Sequence, residues 1–128
     1  MEIRDAIEAD AERLANLTGA PTDVMRNLVH DRTVRVAAED GDVVGFVSYD
    51  AQARTVHVTQ LEGDADLCER LLEEPTRFAG REGMDVELLV PEADDPTREA
   101  AERSDFSEYG PGPRFDGTRT TRYRWEPD

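Results

Sequence analysis

Lysine is absent from this chain: all fifteen of its basic residues are arginine. They face thirty Asp and Glu, so the 128 residues carry a net charge of −15. That balance argues against a general nucleic-acid binder, which needs a basic footprint. Cysteine is nearly absent too. Cys68 alone cannot close an internal disulfide, and there is no cysteine pair to hold a metal. No apolar run approaches the ~18 residues of a membrane span. The acidic opening MEIRDAIEAD lacks the apolar stretch of a signal peptide. The expectation is a cytoplasmic protein with neither a membrane nor a nucleic acid as partner. With 35% charged residues and no lysine, the expectation is a protein adapted to a salt-rich cytoplasm. Self-repulsion at this charge opposes compaction, and at ~1 M salt a Debye length of about 3 Å screens most of it.

What is present reads as one domain, residues 1–128, long enough to bury a core without staples. Met1–Arg4 reads as a short strand. Ala6–Leu17 carries Ile7, Ala11, Leu14 and Ala15 on one face, a helix ending near Gly19. Thr22 or Asp23 caps a second helix with Val24, Met25, Leu28 and Val29. Thr33–Glu39, Val43–Tyr49 and Thr55–Leu61 then alternate as an antiparallel meander, with Asp40-Gly41-Asp42 as its first turn. That turn lacks the other ligands of a calcium loop. The period changes after Gly63: Leu67, Leu71, Leu72, Phe78 and Ala79 recur at helical spacing up to Gly83, with Pro75 expected to kink or divide the helix. Met84–Val90 alternates again, Asp95-Pro96 reads as an N-cap and first helical position opening a helix to Ser104, and Phe106–Tyr109 and Thr118–Trp125 close the chain as strands.

That order, β-α-α-β-β-β-α-β-α-β-β, resembles the GNAT family of acetyl-CoA-dependent N-acetyltransferases. EDGDVVGFVSYD (Glu39–Asp50) looks like the family's third-strand signature. AAERSDF (Ala100–Phe106) is similar to the stretch ending in Gly-Phe before the penultimate strand, and RFDGTRTTRYRW (Arg114–Trp125) resembles the closing strand. The resemblance implies an α+β fold in αβα layers, a central mixed sheet of six to seven strands with helices on both faces. It also implies acetyl-CoA as co-substrate, a small-molecule or peptide amine as acceptor, and no metal.

The family's cofactor loop, Arg/Gln-x-x-Gly-x-Gly/Ala, holds the diphosphate of coenzyme A on backbone N–H groups. Counting from Val58 and from Leu71-Leu72 sets it on Gly63-Asp64-Ala65-Asp66-Leu67-Cys68. Gly63 stands in place of Arg or Gln, Asp66 in place of the first Gly, and Cys68 in place of Gly or Ala. Asp64 or Asp66 at a helix start also reads as a cap that favours the helix dipole, which would occupy the amides a phosphate needs. The resemblance further implies that the fourth strand's backbone, at Val58 and Gln60, holds the pantetheine arm and polarises the thioester carbonyl.

Acetyl transfer needs a base for the attacking ammonium and an acid for the leaving thiolate. The family's tyrosine acid, counted back from Phe106, falls on Ala101 or Glu102, so Tyr109 is the substitute candidate. His57, opposite the Val56/Val58 face, is the candidate base because it titrates near neutrality, and Glu87 on the fifth strand is a second. Each has a plainer reading: Tyr109 as strand packing, His57 and Glu87 as half-exposed strand residues. Cys68 as nucleophile would need an activating partner, and none is adjacent. His30, His57 and Cys68 have no metal-ligand spacing. Arg114, Arg119, Arg122 and Arg124 form a local cationic run, read either as an anion contact or as partners for carboxylates on neighbouring strands. Two functions of different class stay open: an acyl-CoA-dependent N-acyltransferase, and a catalytically inactive binding or interaction module of the same fold. An exposed last strand would also allow a homodimer.

Overall fold

The computed structural model describes residues 1–127. Seven strands and four α-helices follow in the order β1 (Glu2–Asp5), α1 (Ala11–Thr18), α2 (Thr22–Asp31), β2 (Thr33–Glu39), β3 (Asp42–Gln52), β4 (Thr55–Glu62), α3 (Ala65–Glu82), β5 (Asp85–Pro91), α4 (Asp95–Arg103), β6 (Ser107–Pro111) and β7 (Thr120–Trp125). They form one mixed sheet, ordered β1-β2-β3-β4-β5-β7-β6. Among the described residues only β4 and β5 pair in parallel, and α3 is the crossover that joins them. The α+β architecture with helices on both faces is as the sequence implied.

The alternation of each strand divides the core between the faces. Val56, Val58, Val86, Leu88 and Val90 meet Leu71, Leu72 and Ala79 of α3 and Ala100 and Ala101 of α4 on one face. Val34, Val36 and Phe46 meet Leu14 of α1 and Met25 of α2 on the other. Because α1 and α2 cover the β1–β3 side, the outward residues of β4, β5 and β7 are left without a helix over them.

Five expectations are corrected. The last strand is not an exposed edge, since β7 lies between β5 and β6. Neither Thr22 nor Asp23 caps α2, whose N-cap is Pro21 with no side-chain bond. The first helix does not begin at Ala6: a 3-10 turn, Glu8–Asp10, precedes α1. Asp10 causes this, since its carboxylate accepts the Ile7 amide at 2.8 Å and both Arg4 terminal nitrogens at 2.9 and 3.0 Å. Those bonds hold the Asp10 carboxyl below the usual carboxylate range. Pro75 does not divide its helix: α3 is one element of 18 residues, with Pro75 fully buried. The lost amide bond is offset by that packing and by a buried ion pair one residue away, where Glu74 meets Arg35 of β2 at 3.0 Å and Arg77 at 2.9 Å. The cap of α4 is Asp94, not Asp95. Its carboxylate accepts the Thr97 amide at 3.2 Å and the Thr97 hydroxyl at 2.8 Å.

Gly45 makes the β3–α3 junction possible. A Cβ there would sit 2.6 Å from Leu67 Cδ2 and closer still to the Glu62 carbonyl oxygen. The end of β4 and the first turn of α3 therefore lie directly on β3 backbone, which fixes where α3 begins.

Candidate functional site

Parallel pairing of β4 and β5 stops early. The register runs Thr55↔Asp85, Val56↔Val86, His57↔Glu87 and Val58↔Leu88, and then ends. Beyond it β4 stays with β3 (Gln60↔Ser48, Leu61↔Val47) while β5 stays with β7 (Leu89↔Arg122, Val90↔Thr121). The strands thus diverge into a wedge, and backbone groups of residues 59–62 that would face β5 have no strand partner there. A bulge opens it: Tyr49 pairs with Val58 and Ser48 with Gln60, leaving Thr59 as the extra residue.

A cavity lies on each side of the wedge. One, about 200 Å³, includes Gln60, Glu62, Asp94 and Thr97 in its lining. The other, about 370 Å³, includes His57, Glu87, Phe115 and Thr120. Val58, Thr59, Leu89 and Pro91 line both. Burial, with the nearby Asp94 carboxylate adding to it, holds the Glu62 carboxyl above the usual range.

The turn above the wedge opens α3. Asp64 is its N-cap, and Asp64 Oδ1 accepts the Leu67 amide at 2.8 Å. The Cys68 amide donates to the Asp64 carbonyl at 2.8 Å. Among the described residues, the Ala65 and Asp66 amides make no hydrogen bond to protein, so two donors of the helix N-terminus remain open. Gly63 takes φ +145° to turn the chain into the helix. Leu67 lies half-buried against the core. Asp66 points outward, 91% exposed, and meets Arg103 of α4 at 2.8 Å. Arg103 also meets Glu99 and, at 3.7 Å, Glu69, so a guanidinium spans from α4 to the start of α3.

His57 and Glu87 are brought together as register partners on one wall of the larger cavity. Glu87 is tied: Oε1 faces Arg122 Nε at 3.4 Å and Oε2 faces Arg124 at 3.2 Å. Arg124 further reaches Asp85 at 3.6 Å. Two of the four C-terminal arginines thus pair with carboxylates across the sheet, the plainer of the two readings. Tyr109 stands apart from both cavities, 57% exposed, with the Arg124 guanidinium 4.6 Å over its ring. Cys68 is fully buried, its thiol donating to the Gly63 carbonyl at 3.4 Å and pushed up to about 12 by burial, so it is no nucleophile in this setting.

No protein-family model matches the sequence, and no curated protein does. Solved structures do match the fold. An acetyltransferase assigned to the GNAT family from Desulfovibrio desulfuricans is similar at 23% identity and TM-score 0.77, over 98% of both chains. A ribosomal-protein-alanine N-acetyltransferase from Brucella melitensis is similar at 16% identity and TM-score 0.81, over 98% of this chain and 99% of its own. This chain has the GNAT acetyltransferase fold. Another structure with the GNAT-like fold, yncA from Salmonella typhimurium, was solved with its cofactor acetyl-CoA. It is 19% identical, with TM-score 0.81 over 100% of this chain and 94% of its own.

Within that GNAT fold, residues not singled out from sequence complete the wedge: Thr59, Leu89, Pro91, Phe115 and Thr120. Thr59 and Leu89 share the outward phase of His57 and Glu87, a signal available in the alternation itself. Phe115 and Thr120 come from the C-terminal loop and strand, and nothing in their local pattern announces the fold that carries them there. No group of three or more metal-binding side chains is present among the described residues. No helix among them is long and apolar enough to cross a membrane.

Proposed function

We propose that the chain transfers an acyl group from acyl-CoA to an amine, as a GNAT-like N-acetyltransferase working in a salt-rich cytoplasm. The observation that carries this is the wedge between β4 and β5. It has a cavity on each face and four lining residues in common. A two-substrate transfer needs such a passage, since donor and acceptor must meet while entering from different sides. The β4 backbone from Val58 to Gln60, where pairing with β5 ends, suits the amide-bearing pantetheine arm. The open amides of Ala65 and Asp66, at the positive end of α3, suit one end of a diphosphate. Asp64 and Asp66 oppose that charge, and the Arg103 guanidinium beside Asp66 offsets part of the opposition. The acceptor amine, a small molecule or a peptide terminus, enters on the His57 side, where the imidazole is the base for its ammonium. Glu87, held by Arg122 and Arg124, serves as the fixed wall beside it.

The test is release of free coenzyme A thiol from acetyl-CoA in multimolar KCl, against a panel of primary amines and peptide N-termini. The expected outcome is amine-dependent release that His57→Ala reduces by about 10²-fold. A second reading, a GNAT-fold module that binds without turnover, draws on two observations. The Asp64 carboxylate occupies the Leu67 amide, and buried Ala101 stands where a tyrosine acid would. Binding of acetyl-CoA with no amine-dependent thiol release would select it.

A further inference from the structure

The wedge contains a pair of hydroxyls whose direction is fixed by burial. Ser48 Oγ and Thr59 Oγ1 are 2.6 Å apart. Ser48 is fully buried, whereas Thr59 is exposed at the point where β4 leaves β5. Each hydroxyl has one proton to donate. Among the described residues, the Thr59 oxygen is the one partner of the Ser48 side chain. If Thr59 donated inward, the Ser48 proton would be buried without an acceptor, an arrangement folded proteins avoid. Ser48 therefore donates and Thr59 accepts, which leaves the Thr59 O–H turned toward the wedge.

Thr59 is also the one residue with a polar side chain among the four that line both cavities; Val58, Leu89 and Pro91 are apolar. Its proton thus faces the place where a donor from one side meets an acceptor from the other. Resting on the acyl-transfer reading above, we propose that the Thr59 hydroxyl is a catalytic hydrogen-bond donor to the thioester carbonyl oxygen, with Ser48 as the positioning residue that aims it. As the amine nitrogen bonds to the acyl carbon, the carbonyl π pair moves onto oxygen. When the C–S bond breaks, that pair re-forms the carbonyl, the bonding electrons leave with sulfur, and the nitrogen's surplus proton goes to the thiolate. Thr59 keeps its proton throughout. Its contribution is a bond that strengthens as charge develops on the oxygen. This donor comes from the strand itself, independent of any tyrosine on α4.

The test needs no acceptor amine. The full chain in multimolar KCl is titrated with acetyl-CoA carrying ¹³C at the thioester carbonyl, and the bound carbonyl resonance is read by NMR. The expected result is a downfield displacement from free acetyl-CoA that Thr59→Val removes and Thr59→Ser keeps, with affinities within about threefold of wild type. Two results would overturn the proposal while sparing the acyl-transfer reading: a bound carbonyl with no displacement, or a displacement that survives Thr59→Val. Absence of any acetyl-CoA binding would instead overturn the acyl-transfer reading, and this inference with it.

Discussion

At the scale of single residues, two aspartates hold the sharpest consequences. Asp105 adopts φ +64°, the left-handed region that costs a residue with a Cβ. It stands immediately before Phe106, whose amide closes α4 by donating to Ala101. Asp105→Gly should relieve the strain and raise stability by about 0.5 kcal/mol or more, read as a higher melting temperature; an unchanged or lower value would count against the strain. Asp66 belongs to the proposed donor site. Its exposed carboxylate at the start of α3 engages Arg103 and would repel a phosphate brought to that turn. Asp66→Asn should strengthen acetyl-CoA binding about fivefold at low ionic strength. The gain should shrink as KCl rises, because an exposed charge is screened. The sequence made Asp66 conspicuous by its charge in a turn where glycine was expected. It gave no sign of Arg103, 37 residues away, because that contact depends on α4 packing beside α3.

At the scale of elements, the junction of β3, β4 and α3 governs the site. Gly45 admits the Glu62 carbonyl and the Leu67 side chain onto β3. Gly45→Ala should destabilise by roughly 1–3 kcal/mol through overpacking. It should also weaken acetyl-CoA binding, since the atoms displaced are those that set the α3 N-terminus. A stable Gly45→Ala protein with unaltered binding would show that the junction does not control the site. The elements themselves were largely legible, because period 2 in Val56/Val58 and Val86/Leu88 and period 3.6 in Leu67/Leu71/Leu72 are written by the core they share. What local pattern could not show was tertiary in origin. Asp10, gripping Arg4 and the Ile7 amide, delays the first helix. Pro75 is tolerated inside α3 because its ring is buried. The wedge is likewise a property of four strands at once: β4 follows β3 and β5 follows β7, so neither β4 nor β5 alone records the parting.

At the scale of the whole molecule, charge dominates. A net −15 with arginine as the one cation type leaves acidic surface that dilute buffer does not screen. The ion pairs that join distant elements are centred on arginine, among them Arg35 between β2 and α3, Arg103 between α4 and α3, and Arg124 between β7 and β5. Thermal unfolding should shift upward by several degrees or more from 0.1 M to multimolar KCl, as screening removes repulsion. Equal melting temperatures in both would contradict a salt-adapted surface. The same screening bears on the proposed function, in which the phosphate end of acetyl-CoA approaches Asp64 and Asp66. The central claim is that the β4–β5 wedge receives the acyl donor. A calorimetric titration of acetyl-CoA in multimolar KCl, run on the wild-type chain and on Thr59→Trp, tests it most directly. The indole plugs the wedge from an exposed position without entering the core. Wild type should bind saturably and one-to-one, and Thr59→Trp should lose that binding with the fold retained. No binding by wild type, or equal binding by both, would contradict it.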